Sequence, residues 1–369
     1  MKNILIIPDK FKESLSSAEI IDLCIKAIKE KHEDANTHAY LISDGGDGFL
    51  DAIANNQKAA KKIPLDTLNA LGKPIQSEIL IHGQNAYIEV AKSSGLHQIP
   101  LNQRNPQYSS SYGTGLELKK AMELGAKKIY IGLGGSATND GGIGILSALG
   151  FEFLDHNNNS LKPIAANLIK IKRIIPKAFP EIEFYGICDV ENPLLGKTGA
   201  TAVYGPQKGL QAGELIALEN GLSNLNQVAE NQNLTSSEKT EKGAGAAGGI
   251  GYGLLTFLNA KLLKGGDFMM DLIGLEQLVQ DYKIDAVITG EGHYDSQSLQ
   301  GKWVSHVIKF CDRHSLPLLG FFGKISTDIN GFSLACEISN PNWTLERNIR
   351  EAPALLSVAL KKALNKFSI

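Results

Sequence analysis

The stretch Gly132-Leu133-Gly134-Gly135-Ser136-Ala137-Thr138-Asn139-Asp140-Gly141-Gly142 gathers residues that handle ligands rather than fill a core. Its glycines let the backbone approach a ligand closely. Ser136, Thr138 and Asn139 supply hydroxyl and amide donors, and a helix starting after the loop offers free N–H groups to an anion. Phosphate, or a phosphorylated substrate or nucleotide, is the chemistry this set serves, through Gly134, Gly135, Ser136, Thr138 and Asn139. Elsewhere, carboxylates and lysines cluster in Pro8-Asp9-Lys10-Phe11-Lys12-Glu13-Ser14, Ser43-Asp44-Gly45-Gly46-Asp47-Gly48, Asp189-Val190-Glu191-Asn192-Pro193 and Gly290-Glu291-Gly292-His293-Tyr294-Asp295-Ser296-Gln297-Ser298.

Each cluster follows a short apolar run: Ile4–Ile7, Ala39–Ile42, Lys128–Ile131, Phe184–Cys188 and Ala286–Thr289. Short continuous apolar runs bounded by turn signals fit parallel strands buried on both faces. In open α/β sheets, ligands sit beyond the carboxyl ends of such strands. Taken singly, an Asp there is as readily a turn or helix-capping residue. Five such ends together predict an active-site rim.

The 369 residues suffice for two domains, and 43% hydrophobic residues supply sizeable cores. Lysine plus arginine (37) nearly balances aspartate plus glutamate (39), with no basic stripe interleaved with aromatics, so nucleic acid is not an expected partner. Four cysteines without metal-ligand spacing fit reduced thiols in a cytoplasmic protein. No apolar window approaches a membrane span, so no membrane partner is expected either.

Ser16 and Glu19 form a capping-box pattern before a helix whose apolar face is Ile21, Cys24, Ile25 and Ile28. Lys62–Leu68, Ile75–Ile81 and Ala86–Val90 are closely spaced strands, which predicts antiparallel pairing and a change of domain. Ser109-Ser110-Ser111-Tyr112-Gly113-Thr114-Gly115 is expected to open a helix through Leu124, with another helix over Leu254–Leu263 and an amphipathic one at the carboxyl terminus through Leu355, Leu356, Ala359, Leu360, Ala363, Leu364 and Phe367. The predicted fold class is α/β: one domain from residues 1–64 and 266–369, and a second α/β domain inserted over 65–265, with the active site in the cleft between them.

Two local patterns point to other chemistry. Gly132-x-Gly134-x-x-Ala137, with Asp155 about twenty residues on, matches a dinucleotide fingerprint and keeps an NAD-type hydroxy-acid dehydrogenase as an alternative. Against it, Gly141, Gly142 and Gly144 fall where the dinucleotide helix should pack. Gly196-Lys197-Thr198 ends like a Walker A loop, but Glu191 occupies its first glycine position and Pro193 lies inside it, so no P-loop is expected. A non-catalytic nucleotide-binding regulator would not need Asp and Lys spread over five loops.

The ordered motifs resemble the bacterial type I glycerate kinases over essentially the whole chain. The matching blocks are Pro8–Ser14, Asp44–Gly48, Arg104-Asn105-Pro106 with Ser111–Gly115, Gly132–Gly142, Cys188–Leu194, Gly205–Gly209, Gly243–Gly251, and Thr289–Gly292 with Asp295, Gln297, Ser298, Gly301 and Lys302. Asp47 stands where the family more often has Glu. The resemblance implies ATP-dependent phosphorylation of D-glycerate with Mg²⁺, a flavodoxin-like domain paired with a second α/β domain, and 2-phosphoglycerate as the favoured product. A kinase of another small hydroxy acid is the neighbouring alternative, and a monomer or homodimer is expected.

Phosphoryl transfer to a hydroxyl requires charge neutralisation, in-line positioning, a metal and a proton acceptor. Asp189 is assigned as general base, with Asp44 and Asp295 on the metal side, a division the resemblance does not itself fix. Lys12 joins them as a catalytic candidate. Lys10, Arg104, Glu291, Gln297 and Ser298 are candidates for phosphate or the glycerate carboxylate, with Lys208 and Lys302 behind them. Gly248 and Gly249 precede a helix and form a candidate second anion site. His293 is read as incidental.

Overall fold

The computed structural model describes residues 2–235, 240–296, 298–299 and 302–366. The chain divides into two compact units, 1–43 with 266–369 and 44–265. The first begins with β1 (Asn3–Ile6), α1 (Ser17–Lys31) and β2 (Asn36–Ala39). The capping box at α1 forms as expected: Ser16 Oγ accepts the Glu19 N–H (3.2 Å), and Glu19 accepts the Ser16 N–H (2.8 Å).

The second unit opens earlier than residue 65. α2 (Phe49–Asn56) belongs to it, because the helix packs on β4 (Pro74–His82) and β5 (Asn85–Glu89). Buried Glu89, ending β5, accepts the N–H groups of Gly48 (3.2 Å) and Leu50 (3.0 Å) at the start of α2. β3 (Lys61–Leu68) pairs antiparallel with β4, and β4 with β5. The unit continues with α3 (Val90–Ser94), α4 (Tyr112–Glu123), β6 (Lys128–Gly132), α5 (Ile143–Ala148), β7 (Glu152–Leu154), β8 (Arg173–Ile175) and β9 (Glu183–Ile187). It closes with α6 (Ala200–Tyr204), α7 (Leu215–Asn231), α8 (Ala246–Leu258) and β10 (Lys261–Leu263).

The helix expected over Leu254–Leu263 therefore stops at Leu258. Asn259 turns left-handed (φ 50°) and the next residues become a strand parallel to β9. The main sheet runs β10-β9-β6-β5-β4-β3, parallel from β5 to β10, while β7 and β8 form a separate antiparallel pair. Ile88, Ile129, Ile131, Phe184, Ile145, Leu222 and Leu225 are among the residues of its core.

The chain returns to the first unit through α9 (Gly265–Ile273), α10 (Leu275–Asp281), β11 (Ala286–Tyr294), α11 (Trp303–His314), β12 (Leu318–Ile325), β13 (Leu334–Glu337) and α12 (Leu345–Lys366). Its five strands are all parallel, in spatial order 2-1-3-4-5 when numbered along this unit. Ile4, Leu5, Ile6 and Ile7 are fully buried, as a strand covered on both faces requires. α1 and α12 cover one face through Ile20, Cys24, Ile28, Leu356, Leu360 and Leu364. Among the described residues, no helix is long and apolar enough to cross a membrane, and all four cysteines are free.

One buried acid makes a test of the second core. Glu117 in α4 is fully buried and accepts the Ser77 hydroxyl (2.6 Å). Burial pushes its carboxyl up to about 8, against the hydrogen bonds of Ser77 and Ser93. The native protein thus holds a proton that the unfolded chain releases above the ordinary value of 4.5. Stability falls as pH rises through this window, by at most about 1.4 kcal/mol per pH unit, and the loss levels off above the folded value. Glu117→Gln stays neutral and is expected to melt higher than wild type at pH 8.5 but alongside it at pH 5. Identical pH slopes in the two melting series would show that Glu117 is already ionised in the native protein.

Candidate functional site

In the first unit the carboxyl ends of neighbouring β1 and β11 are tied together. The Ile7 carbonyl accepts Thr289 Oγ1 (3.0 Å) and Trp303 Nε1 (2.7 Å), and the Asp9 N–H donates to Gly290 (2.9 Å). These bonds fix the exit of β1, so Asp9, Lys10 and Lys12 emerge beside Glu291. The Lys10 N–H donates to Asp9 Oδ1 (2.7 Å), and Lys12 is exposed.

Glu291 is buried, and burial pushes its carboxyl up to about 7. Ser298 and Lys302 pull it down, whereas Asp9 and Asp295 push it further up. Asp295 Oδ1 accepts the Ser298 N–H (3.2 Å), and Ser298 Oγ accepts the Asp295 N–H (3.1 Å), which closes the turn after β11. Thus Lys10, Lys12, Glu291, Asp295 and Ser298 share one strand-end cluster with Asp9 and Lys302. Gln297 lies outside the described residues. His293 is exposed, bonds Ser326 Oγ (2.8 Å) and lies 3.9 Å from Asp295 Oδ2 through Nδ1.

In the second unit the ends of β6, β9 and β10 converge on the Asp44 loop. The Leu133 N–H donates to Ile187 (3.0 Å), the Gly134 N–H to Gly45 (2.9 Å) and the Gly265 N–H to Asp189 Oδ1 (2.7 Å). Asp44 Oδ1 accepts the Gly46 N–H (2.9 Å), and its backbone carbonyl lies 2.6 Å from where a Cβ on Gly265 would stand. Asp44 and Asp189 therefore both lie against Gly265, and both carboxylates reinforce the upward push that burial gives the Cys188 thiol. Glu191 is engaged by Lys242 (2.8 Å) and Lys264 (3.2 Å).

Gly134 and Gly135 are accessible at this edge, but a side chain at either would collide with a neighbouring segment. A Cβ on Gly134 would stand 2.2 Å from Gly46 Cα, and one on Gly135 would meet Asp47 Oδ1 at 2.3 Å. Gly135 also holds φ +70°, a conformation costly for any residue with a side chain. The rest of the loop turns inward. Thr138 and Asn139 are fully buried, and Asn139 Nδ2 donates to Thr201 Oγ1 (3.0 Å). Ser136 is bonded by buried Lys208 (2.9 Å). Gly248 and Gly249 are placed against this loop: the Gly141 N–H donates to Gly248 (3.1 Å), and a Cβ on Gly248 would stand 1.9 Å from the Thr138 carbonyl oxygen. Arg104 donates from Nε to Ile99 (3.2 Å), and its carbonyl packs against Gly209, next to Lys208.

Three carboxylates that organise this edge were not singled out from the sequence. Asp140 is fully buried and accepts the Ser111 N–H (2.7 Å), the Ser111 hydroxyl (2.8 Å) and the N–H groups of Gly142 (3.1 Å) and Gly144 (3.2 Å). Glu89 anchors the start of α2, and Asp47 lies against Gly135. Glu89 was legible as a carboxylate ending an apolar strand. Asp140 and Asp47 stood inside the quoted Gly132–Gly142 and Ser43–Gly48 stretches, but their contacts with Ser111 and Gly135 join segments far apart in the chain.

The two competing local patterns fold into something else. Asp155 Oδ1 accepts the N–H groups of Asn157 (2.8 Å) and Asn159 (2.9 Å), closing its own turn. Among the described residues, the strand before it, β7, forms a two-stranded sheet with β8 and is not paired with β6, as a dinucleotide-binding βαβ unit would demand. In the Walker-like loop, the Gly196 N–H donates to Glu219 (2.5 Å), a carboxylate where phosphate would have to sit. Among the described residues, no group of three or more His, Cys, Asp or Glu is arranged to hold a metal ion. Mg²⁺ asks for less, since it takes one or two carboxylates and completes its shell with waters and phosphate oxygens.

Comparison with known proteins agrees with the ordered motifs. Residues 4–368 match the model of the glycerate kinase family. The chain is 38% identical to the glycerate kinase of Bacillus subtilis (strain 168), over 89% of this chain and 86% of that protein. It is 37% identical to the glycerate 2-kinase of Escherichia coli (strain K12), over 88% and 86%. Among solved structures, that of a proposed glycerate kinase 2 from Salmonella typhimurium LT2 superimposes with a TM-score of 0.86 at 32% identity, covering 99% of this chain and 98% of that one. A family match of this extent, carried by strand ends rich in Asp, Lys and Gly, leaves one conclusion: the chain belongs to the glycerate kinase family.

Proposed function

We propose that this protein transfers the γ-phosphoryl group of ATP to D-glycerate, with 2-phosphoglycerate as the favoured product. The observation that carries the reading is the placement of family-motif carboxylates at parallel strand ends in both units, Asp9, Glu291 and Asp295 in one and Asp44 and Asp189 in the other. The glycerate 2-kinase at 37% identity supports the choice of the 2-hydroxyl. The first unit is assigned a flavodoxin-like fold, on the strength of its 2-1-3-4-5 order; in such sheets the ligand site lies at the β1/β3 switch point. Here that point is the exit of β1 and β11, where Asp9, Lys10 and Glu291 stand.

In this reading Asp189 accepts the proton of the attacking hydroxyl, whose oxygen bonds the γ-phosphorus as the bond to ADP breaks. Asp44 and Asp295 are the carboxylates that would hold Mg²⁺, which would supply charge neutralisation for the transferring group. Lys10, Lys12 and Arg104 supply positive charge for phosphate or the glycerate carboxylate, and Gly134 and Gly135 present backbone at the same edge as Asp44 and Asp189.

Purified protein with Mg-ATP should release ADP when D-glycerate is added and respond little to lactate, which lacks the second hydroxyl. ADP release indifferent to glycerate, together with tight binding of a reduced nicotinamide cofactor, would replace this reading with the dehydrogenase.

A further inference from the structure

Lys208 follows the second unit's Gly205-Pro206 turn and is 2% exposed. Lysine is almost never buried so completely unless its ammonium group is held by partners. Here both partners come from one short segment: Lys208 Nζ donates to Ser136 Oγ (2.9 Å) and to the Thr138 carbonyl (2.7 Å). The opposite edge of that segment is tied just as firmly. The Ala137 N–H donates to Ser94 (2.8 Å) and the Leu96 N–H to the Gly135 carbonyl (2.8 Å). Two residues beyond Thr138, buried Asp140 collects four donors from Ser111, Gly142 and Gly144.

We infer that Lys208 is a positioning residue for the phosphoryl-transfer reaction, holding residues 136–138 so that Gly134 and Gly135 stay at the reacting edge. The inference rests on the reading of that edge as part of a kinase site. Lys208 does not act as a phosphate ligand: it is shut away from solvent, and two of its three ammonium donors are held by the loop itself. Burial depresses its pKa to about 7 and Asp140 opposes that shift, in line with an amine shut away from water beside a buried carboxylate. Loss of the clamp moves the loop without removing any group that touches substrate. The expected signature is a lower kcat at unchanged KM, because misplacement of about 1 Å in a catalytic arrangement costs about 10²-fold.

The test combines Lys208→Met, Ser136→Ala and the double variant, each checked for folding by circular dichroism. Steady-state kinetics with Mg-ATP and D-glycerate are read alongside amide hydrogen exchange over residues 133–140. Lys208→Met is expected to lower kcat by about 10–10² while both KM values stay within about twofold, and to speed exchange in that segment. The double variant should lose no more than Lys208→Met alone, because both changes remove one coupled contact. If Lys208→Met does not fold, Ser136→Ala by itself must show faster exchange and a kcat loss at constant KM.

A rise of tenfold or more in one KM, with effects that multiply in the double variant, would make Lys208 a direct ligand and overturn the inference. Lower melting temperature with unchanged kcat, KM and exchange would reduce it to core structure and overturn it equally. Wild-type protein that fails to phosphorylate glycerate would instead refute the functional reading, and the exchange data would still decide whether Lys208 clamps the loop.

Discussion

Asp189→Asn is expected to lower turnover by about 10²–10⁴ while leaving the protein folded and ATP binding nearly intact. Asparagine keeps an Oδ1 that can still accept the Gly265 N–H now bonded at 2.7 Å, so the local geometry survives. What disappears is the carboxylate proposed to take the hydroxyl proton. Asp295→Asn should behave differently. It preserves the acceptor for the Ser298 N–H but removes a carboxylate charge proposed to face the metal, so the Mg²⁺ concentration for half-maximal rate should rise. An Asp189→Asn enzyme with near-normal kcat, or an Asp295→Asn enzyme with wild-type Mg²⁺ dependence, would show that the roles are divided otherwise.

The parts of the fold that could be read from the sequence are those whose physics is local. Ile4–Ile7 and Ala286–Thr289 announce themselves as strands because burial on both faces demands an unbroken apolar run. Ser16 and Glu19 announce a helix start because their side chains satisfy each other's backbone donors. Features set by distant partners were not legible. The apolar stretch from Leu254 reads as one helix through Leu263, and only pairing with β9 turns its end into a strand. α2 follows β2 in sequence, yet it belongs to the second unit because Glu89 and the faces of β4 and β5 receive it. Among the candidate site residues, chemical type was legible while exposure was not. Thr138 and Asn139 have the donors that a ligand loop needs, but they face inward and hold the loop together. The burial of Lys208 has no local sign either, since its acceptors sit some seventy residues away, at separations of 72 and 70.

The sharpest separation between the working loop and its imitation comes from Gly134→Val paired with Lys197→Ala. The need for glycine at 134 has a specific cause: a Cβ there would stand 2.2 Å from Gly46 Cα and 3.0 Å from Gly46 N. Both contacts are with backbone, so no side-chain rotation relieves them. Valine must push the Gly132–Gly142 loop and the Asp44–Gly48 loop apart, breaking the Gly134-to-Gly45 hydrogen bond and displacing Asp44 from its place beside Gly265. Displacement of about 1 Å already costs about 10²-fold, and valine demands more than that, so activity should fall below detection. The unit's main core lies among strands and helices behind these loops, and circular dichroism should therefore still report a folded protein. Lys197 is exposed, and the N–H of its neighbour Gly196 is already taken by Glu219. Removing its amine should leave kcat and both KM values within about twofold of wild type. A P-loop lysine would behave in the opposite way, because its charge stabilises the transferring phosphoryl group. Assayed together at saturating Mg-ATP and D-glycerate, an active Gly134→Val enzyme beside an inactive Lys197→Ala enzyme would move the reaction to the Gly196 loop and refute the placement argued here.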